Sequence, residues 1–275
     1  MSENALSSTA RATVAGPRPM GRVNWLGLRT LYVKEVWRFL KMPAYTVLAP
    51  TVTSLLFLAI FTLGLGAAVR DMAGVPLVEF LAPGLVMMAI VNSAFENPSA
   101  SLMMSKMHGN IVDVLMPPLS PGEFALGYVL GGATRGLVTG ALLLAVLAPF
   151  VALAPRHPEF VLFHAMAAAL ALSMLGFVAG LWAEKWDHLA FVTNFTIMPL
   201  TFLSGAFYSI DRLFGVWRAA LQFNPIFYMI DGFRYGFIGQ ADGSPALGLV
   251  VMAVLNLALA LVCYRLVVRG YKLKS

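Results

Sequence analysis

Six predominantly apolar stretches, each of about 20 residues or more, constrain this chain more than anything else in it. They are Tyr45–Val69, Phe80–Met104, Phe124–Leu153, Phe160–Ala183, Leu189–Tyr208 and Ala246–Val268. In hydrocarbon a backbone N–H or C=O has no water to bond, so a stretch of this kind pairs its own groups as an α-helix. Roughly 20 helical residues cross a ~30 Å hydrocarbon core. Composition agrees: 12% of residues are charged and 59% hydrophobic, whereas a soluble domain carries about 25% charged residues. Too little polar surface remains to cover a water-soluble globule. The expected fold is all-α and polytopic, with six transmembrane helices.

The net charge of +6 does not form a stripe of the kind that binds nucleic acid. It collects near the ends of the apolar stretches, where Lys and Arg report orientation. With both chain ends on one side, that side carries thirteen Lys/Arg, including Lys106, Lys185, Arg265, Arg269, Lys272 and Lys274. The other side carries five: Arg70, Arg156, Arg212, Arg218 and Arg234. Both termini are therefore expected in the cytoplasm. Residues 1–24 are polar and Ser/Ala/Pro-rich and read as a disordered cytoplasmic tail without a secretory signal. Residues 25–275 read as one transmembrane domain. Within it, Trp25–Met42 is expected to be an amphipathic interfacial helix. Trp25, Leu28, Tyr32, Val36 and Phe39 share one face, Lys34, Arg38 and Lys41 lie opposite, and Pro43 punctuates the end.

Bond-making machinery is not visible. No Gly-Lys dipeptide exists to build a phosphate loop. Cys263 is single and sits in an apolar stretch, and His108, His157, His164 and His188 are scattered without metal-like spacing. What the sequence offers instead are polar residues at membrane depth and a structured loop. Asn92, Glu96 and Asn97 fall within the second stretch and Arg135 within the third. Such residues face protein or water, as a pathway contact or a structural node, and pairing of Arg135 with Glu96 is open. Gly127/Gly131, Gly132/Gly136/Gly140 and Gly176/Gly180 form four-residue ridges for close helix packing, within or between subunits. The loop Ser105–Glu123 contains a short amphipathic helix candidate, Lys106–Leu115, stopped by Pro117, Pro118 and Pro121. Ser120 and Glu123 then stand at capping-box spacing before the third stretch.

These residues resemble a known family. Met198-Pro199-Leu200-Thr201-Phe202-Leu203-Ser204-Gly205-Ala206-Phe207, then Asn224-Pro225, then Asp231-Gly232-Phe233-Arg234 are similar to the Pro-x-x-Phe-Leu-Ser-Gly, Asn-Pro and Asp-x-x-Arg pattern of ABC-2 type permeases. Asn110–Pro121 is similar to the family's coupling segment, and Gly131–Gly136 to the start of its third span. The aromatic near Phe207 is followed by Tyr208-Ser209-Ile210 rather than by the family's frequent proline.

The resemblance implies the permease subunit of an exporter in the bacterial inner membrane. It also implies a homodimer embedded among membrane lipids, working with two copies of a separate ATPase subunit. ATP and magnesium would be bound by that partner, no cofactor by this chain, and nucleic acid by neither. Coupling residues carried over are Lys106, Asn110, Ile111, Asp113, Val114 and Leu115. Pathway or gate candidates are Asn92, Glu96, Pro199, Phe202, Ser204, Gly205, Phe207, Asn224, Pro225, Asp231 and Arg234. A re-entrant helix pair is implied in the fifth loop. Pro199, Ser204 and Gly205 break the fifth stretch, and Trp217, Phe223 and Phe227 join the expected outer gate. The substrate would be an amphipathic molecule, lipid, drug or saccharide. A secondary transporter or channel working without ATP, or a membrane enzyme acting on lipid-linked substrates, are the competing classes.

Overall fold

A computed structural model of the protein describes residues 23–65, 71–72, 74–151, 153–210 and 215–272. The expected tail over residues 1–22, the end of the first stretch at Val69, Arg70, Arg212 and Lys274 lie outside these residues. In chain order the elements are α1 (Trp25–Leu40), a π-helical turn (Ala44–Leu48) running into α2 (Ala49–Leu65), a two-residue hairpin of β1 (Asp71–Met72) and β2 (Val75–Pro76), and α3 (Leu77–Met107). Then come α4 (Ile111–Leu115), α5 (Pro121–Leu147), α6 (Pro158–Trp182), and α7 (Trp186–Val192) joined by a second π-helical turn (Thr193–Ile197) to α8 (Met198–Phe202). The chain finishes with α9 (Val216–Gln222), α10 (Pro225–Ile238) and α11 (Pro245–Val268).

Among the described residues five helices are long and apolar enough to cross a membrane: Ala44–Gly64, α3, α5, α6 and α11. The fifth expected stretch, Leu189–Tyr208, is instead a composite helix, Trp186–Phe202, of 17 residues. That is a little short of the ~20 that a perpendicular span needs. The third stretch also ends early, at Leu147 rather than Leu153.

Both π turns have the same cause. Each ends two residues before a proline, Pro50 in one case and Pro199 in the other. A proline inside a helix donates no N–H, and its ring crowds the carbonyl four residues back. Widening the preceding turn relieves that crowding. In both turns the closing N–H reaches back five residues, Ala49 to Ala44 and Met198 to Thr193.

Helix starts follow local chemistry. Pro121, Pro158, Pro225 and Pro245 each open a helix in its first turn, where a missing N–H costs nothing. The Ser120–Glu123 capping box forms in full. Asn224 caps α10 by accepting from the Ile226 N–H at 3.0 Å, and Gly239, at φ +77°, closes that helix in the left-handed conformation.

The bundle is built around α3, whose apolar window is 83% buried, against 22% for the Ala44–Gly64 helix and 17% for α11. Those two leave most of their surface for lipid. At ~1.5 Å per residue the 31 residues of α3 extend about 46 Å, further than a ~30 Å core, so its last turns project and carry α4. Helix association in lipid depends on close packing, and the glycine ridges supply it within the subunit. Gly127 and Gly131 lie against Leu31 and Glu35 of α1, Gly136 against the Ile90 carbonyl of α3, and Gly180 against Ser99 of α3.

α1 packs along α5, on a face rotated from the expected one, with Phe39 common to both and Leu28, Tyr32 and Val36 half-buried. The buried stripe is Leu31, Glu35 and Phe39, while Trp25, Leu26, Trp37 and Leu40 are exposed. Arg38, expected to point away, turns inward and donates to the Asn97 carbonyl oxygen at 2.6 Å and to Asn97 Oδ1 at 2.8 Å. Glu35 decides this arrangement: a carboxylate with no exposure must be paired, and it accepts from Ser101 Oγ at 2.8 Å and from Arg38. A wheel that counts only apolar residues misses such a face.

Candidate functional site

Three places in the bundle concentrate the candidate residues. The first is the end where α1 begins and where α3, α6 and α11 finish. Lys272 donates to the Trp182 carbonyl at 3.0 Å and pairs with Glu184 at 2.6 Å. The hydrogen bond and charge of Lys272 hold the Glu184 carboxyl below the usual carboxylate range. The Asn24 N–H donates to Glu123 Oε1 at 2.7 Å, so the capping-box glutamate also anchors the start of α1. Both described chain ends thus meet at one end of the bundle.

At this end the expected helix Lys106–Leu115 is two pieces. α3 runs on through Lys106, and Gly109, at φ +71°, turns the chain before α4. Lys106 is therefore not on the short helix; its Nζ donates to the Leu181 and Ala183 carbonyls and ties α3 to α6. Ile111 is buried among Leu31, Leu102 and Phe124. Val114 and Asp113 line a groove against Thr30 and Lys34 of α1. Asn110 and Leu115 are exposed, and so are Val112 and Met116, which the sequence reading missed. Met104 and Met107, just before the loop in the chain, are exposed as well. Apolar residues in a loop flanked by polar ones were the available signal.

The second place is a cavity of about 290 Å³ between α2, α3 and the composite helix α7–α8, lined among others by Asn92, Glu96, Phe57, Thr201 and Phe202. Arg135 of α5 reaches its back wall. Its Nη2 donates to Glu96 Oε2 at 2.9 Å, making the pair left open by the sequence. Its Nε donates to the Thr46 carbonyl at 3.2 Å. Thr46 lies four residues before Pro50, so the N–H that a regular α-helix would aim at this carbonyl is the one a proline lacks. The Arg135 side chain is 6% exposed and that of Glu96 50%, so the carboxylate, not the guanidinium, faces the open volume.

The third place lies at the opposite end and gathers most of the family-like motif. Arg234 donates to the Gly205 carbonyl at 2.7 Å, lies 3.8 Å from the Phe80 ring centroid and sits 3.6 Å from Asp242. Asp231 accepts from the Asp242 and Gly243 N–H groups at 2.8 and 3.0 Å. Asp242 in turn accepts from Ser209 Oγ and the Ile210 N–H. Asn224 Nδ2 donates to the Leu200 carbonyl at 2.7 Å. Gly205 holds φ +76°, which a side chain would strain. Ser204 is buried and donates to Thr201, one turn back. The motif is thus a buried staple joining the end of α8 to α10 and to the loop before α11. The sequence did not disclose Asp242, because nothing local marks it as the partner of Ser209 and Ile210, 33 and 32 positions earlier. Pro225 opens α10. Phe202 and Phe207 stack at 5.7 Å between centroids, and Phe207 stacks on Phe61 at 4.7 Å. Phe227 is buried, whereas Trp217 and Phe223 are exposed.

The ABC-2 type transporter family matches residues 27–238, which contain the Glu96 cavity and most of the other two places, but not Asn24, Asp242, Gly243 or Lys272. "Inner membrane transport permease YadH" of Escherichia coli (strain K12) is 34% identical over 256 residues, covering 93% of this chain and all of the relative. "Nodulation protein J" of Rhizobium leguminosarum bv. trifolii is 29% identical over 231 residues, 81% of this chain and 84% of the relative. The protein of the same name from Sinorhizobium fredii is 27% identical over 208 residues.

Proposed function

The chain belongs to the ABC-2 type transporter family, and from that premise we propose that it is the permease subunit of an ATP-driven exporter in the bacterial inner membrane. In this reading residues 25–275 form one transmembrane domain of six spans, with Trp186–Phe202 as the short fifth. Residues 1–24 and the other chain end are cytoplasmic, in keeping with the Lys/Arg bias. Two copies of the chain work with two copies of a separate ATPase, which binds ATP and magnesium.

One observation carries the proposal. The short α4 is anchored by buried Ile111 and presents Val112, Leu115 and Met116 outward, at the end where the charge bias puts the cytoplasm. An apolar surface on a five-residue helix braced by α1 and α3 suits a soluble partner. ATP binding in that partner shifts the permease between two states only through contacts that differ between them, and α4 is the element placed to make them. The cavity beside Glu96 then serves as part of the pathway, and Phe202 and Phe207 close it toward the stapled end.

The test is gentle detergent purification of the tagged chain, followed by ATPase assays of what comes with it. An ATPase subunit co-purifies, and Val112→Asp with Met116→Asp releases it while the permease still inserts and melts normally. Transport by the chain alone in ATP-free proteoliposomes would instead establish the secondary-transporter reading.

A further inference from the structure

The lining of the Glu96 cavity carries charge of one sign only, from a single carboxyl. A hydroxyl has one hydrogen to give and two lone pairs to receive. Thr53 spends its hydrogen on the Ala49 carbonyl at 3.0 Å, Ser54 on Pro50 at 2.9 Å and Thr201 on Ile197 at 2.6 Å. Each is the four-residue back-bond common to hydroxyls on helices, so what these three offer the cavity is lone pairs. Glu96 is the one acidic side chain of the lining, which holds no Lys, Arg or His. Its Arg135 partner stands behind the wall, with its other bond committed to the Thr46 carbonyl. Asn92, Tyr45 and Thr193 also line the cavity, as does Ser93, whose buried Oγ has no hydrogen-bond partner among the described residues, so donors are not missing; what the lining lacks is a positively charged side chain. Around these groups lie Phe57, Phe202, Met88 and Met198. Aromatic faces and thioethers favour a cation with an apolar body.

We infer that this cavity binds protonated amines carried on an apolar or aromatic body, with the amine hydrogens going to Glu96 and to the back-bonded hydroxyls of Thr53, Ser54 and Thr201. The physiological meaning, a cationic amphiphile as the exported substrate class, rests on the transport reading above; the binding itself does not. A volume of about 290 Å³, at the low end for ligand sites, suits one ring with its amine-bearing chain.

The experiment uses the full chain in lipid nanodiscs, without ATP or any partner. Bound ethidium is followed by fluorescence anisotropy, with empty nanodiscs as the blank. Three competitors of matched shape displace it: a naphthyl-alkylamine, its neutral N-acetyl derivative and the corresponding carboxylate. The amine is expected to displace at concentrations roughly 10-fold or more below the other two, the size of one charge-assisted hydrogen bond. Glu96→Gln abolishes that preference. Because this change also deprives buried Arg135 of its partner, the double variant Thr53→Val, Thr201→Val provides a second arm, in which the preference falls several-fold. Equal displacement by the N-acetyl compound or the carboxylate overturns the inference. So does an undiminished amine preference in the valine variant. Neither result touches the exporter reading, which fails separately if no ATPase associates.

Discussion

Replacing Glu35 by alanine removes the group that fastens α1 to the bundle. The carboxylate has no exposure, accepts from Ser101 Oγ at 2.8 Å and pairs with Arg38 at 3.2 Å. Breaking a fully buried ion pair costs about 3–5 kcal/mol. Here the cost is lower, because Arg38 is 29% exposed and keeps its two bonds to Asn97. Loss of the Ser101 bond to a charged acceptor, about 1.5–3 kcal/mol, then dominates, and a total of about 2–3 kcal/mol is expected. Thermal melting in detergent should fall by roughly 4–12 °C, taking the proportion found for soluble chains of similar size. Hydrogen exchange gives the sharper test: α1 amides lose protection while α6 amides keep theirs, since the anchor is local. Ser101→Ala removes the same bond and should do the same at about 1.5–3 kcal/mol. If Glu35→Ala leaves both the melting point and the exchange of α1 unchanged, burial of this carboxylate is not what holds the helix.

Other consequences follow from packing and charge. Gly136→Val places a branched side chain where a Cβ alone would meet the Ile90 carbonyl at 2.7 Å; overpacking should lower stability by about 1–3 kcal/mol, visible as a lower detergent melting point. Arg234→Met strips the Gly205 carbonyl and Asp242 of a buried cation and should cost about 3 kcal/mol, with increased proteolysis between α8 and α10. Arg234→Lys should not restore it, because an ammonium cannot reproduce the guanidinium fork. The Glu184–Lys272 tie lies at the surface, with the Glu184 side chain exposed and that of Lys272 half-buried. Lys272 depresses the Glu184 carboxyl and Glu184 raises the Lys272 ammonium. The contribution of Glu184 is therefore present above the ordinary carboxylate pKa and lost as pH falls through its lowered value. That of Lys272 is present below the ordinary lysine value and lost only as pH rises through its raised one. Amide protection near residues 270–272, after correction for the intrinsic pH dependence of exchange, should stay flat across neutral pH and fall only at the two extremes.

Sequence alone settled what can be read from one segment at a time. Five spans, the prolines that open helices, the Ser120–Glu123 box and the family motifs all follow from local rules: backbone satisfaction in lipid, fixed proline φ and short-range capping. The site was legible in part. Glu96 and Arg135 stood out as charges at membrane depth, but that the carboxylate faces a cavity depends on Arg135 also donating to a carbonyl on a third helix. Tertiary structure decided whatever rests on partners distant in the chain. It chose the buried face of α1 through Glu35, moved Lys106 from the short helix into a tie with α6, and matched Asp242 to the motif residues around Arg234. The physical reason is common to all three. An apolar residue is satisfied by any apolar neighbour, so its pattern is visible in the sequence, whereas a buried charge needs one particular partner, and only the folded chain brings that partner within reach.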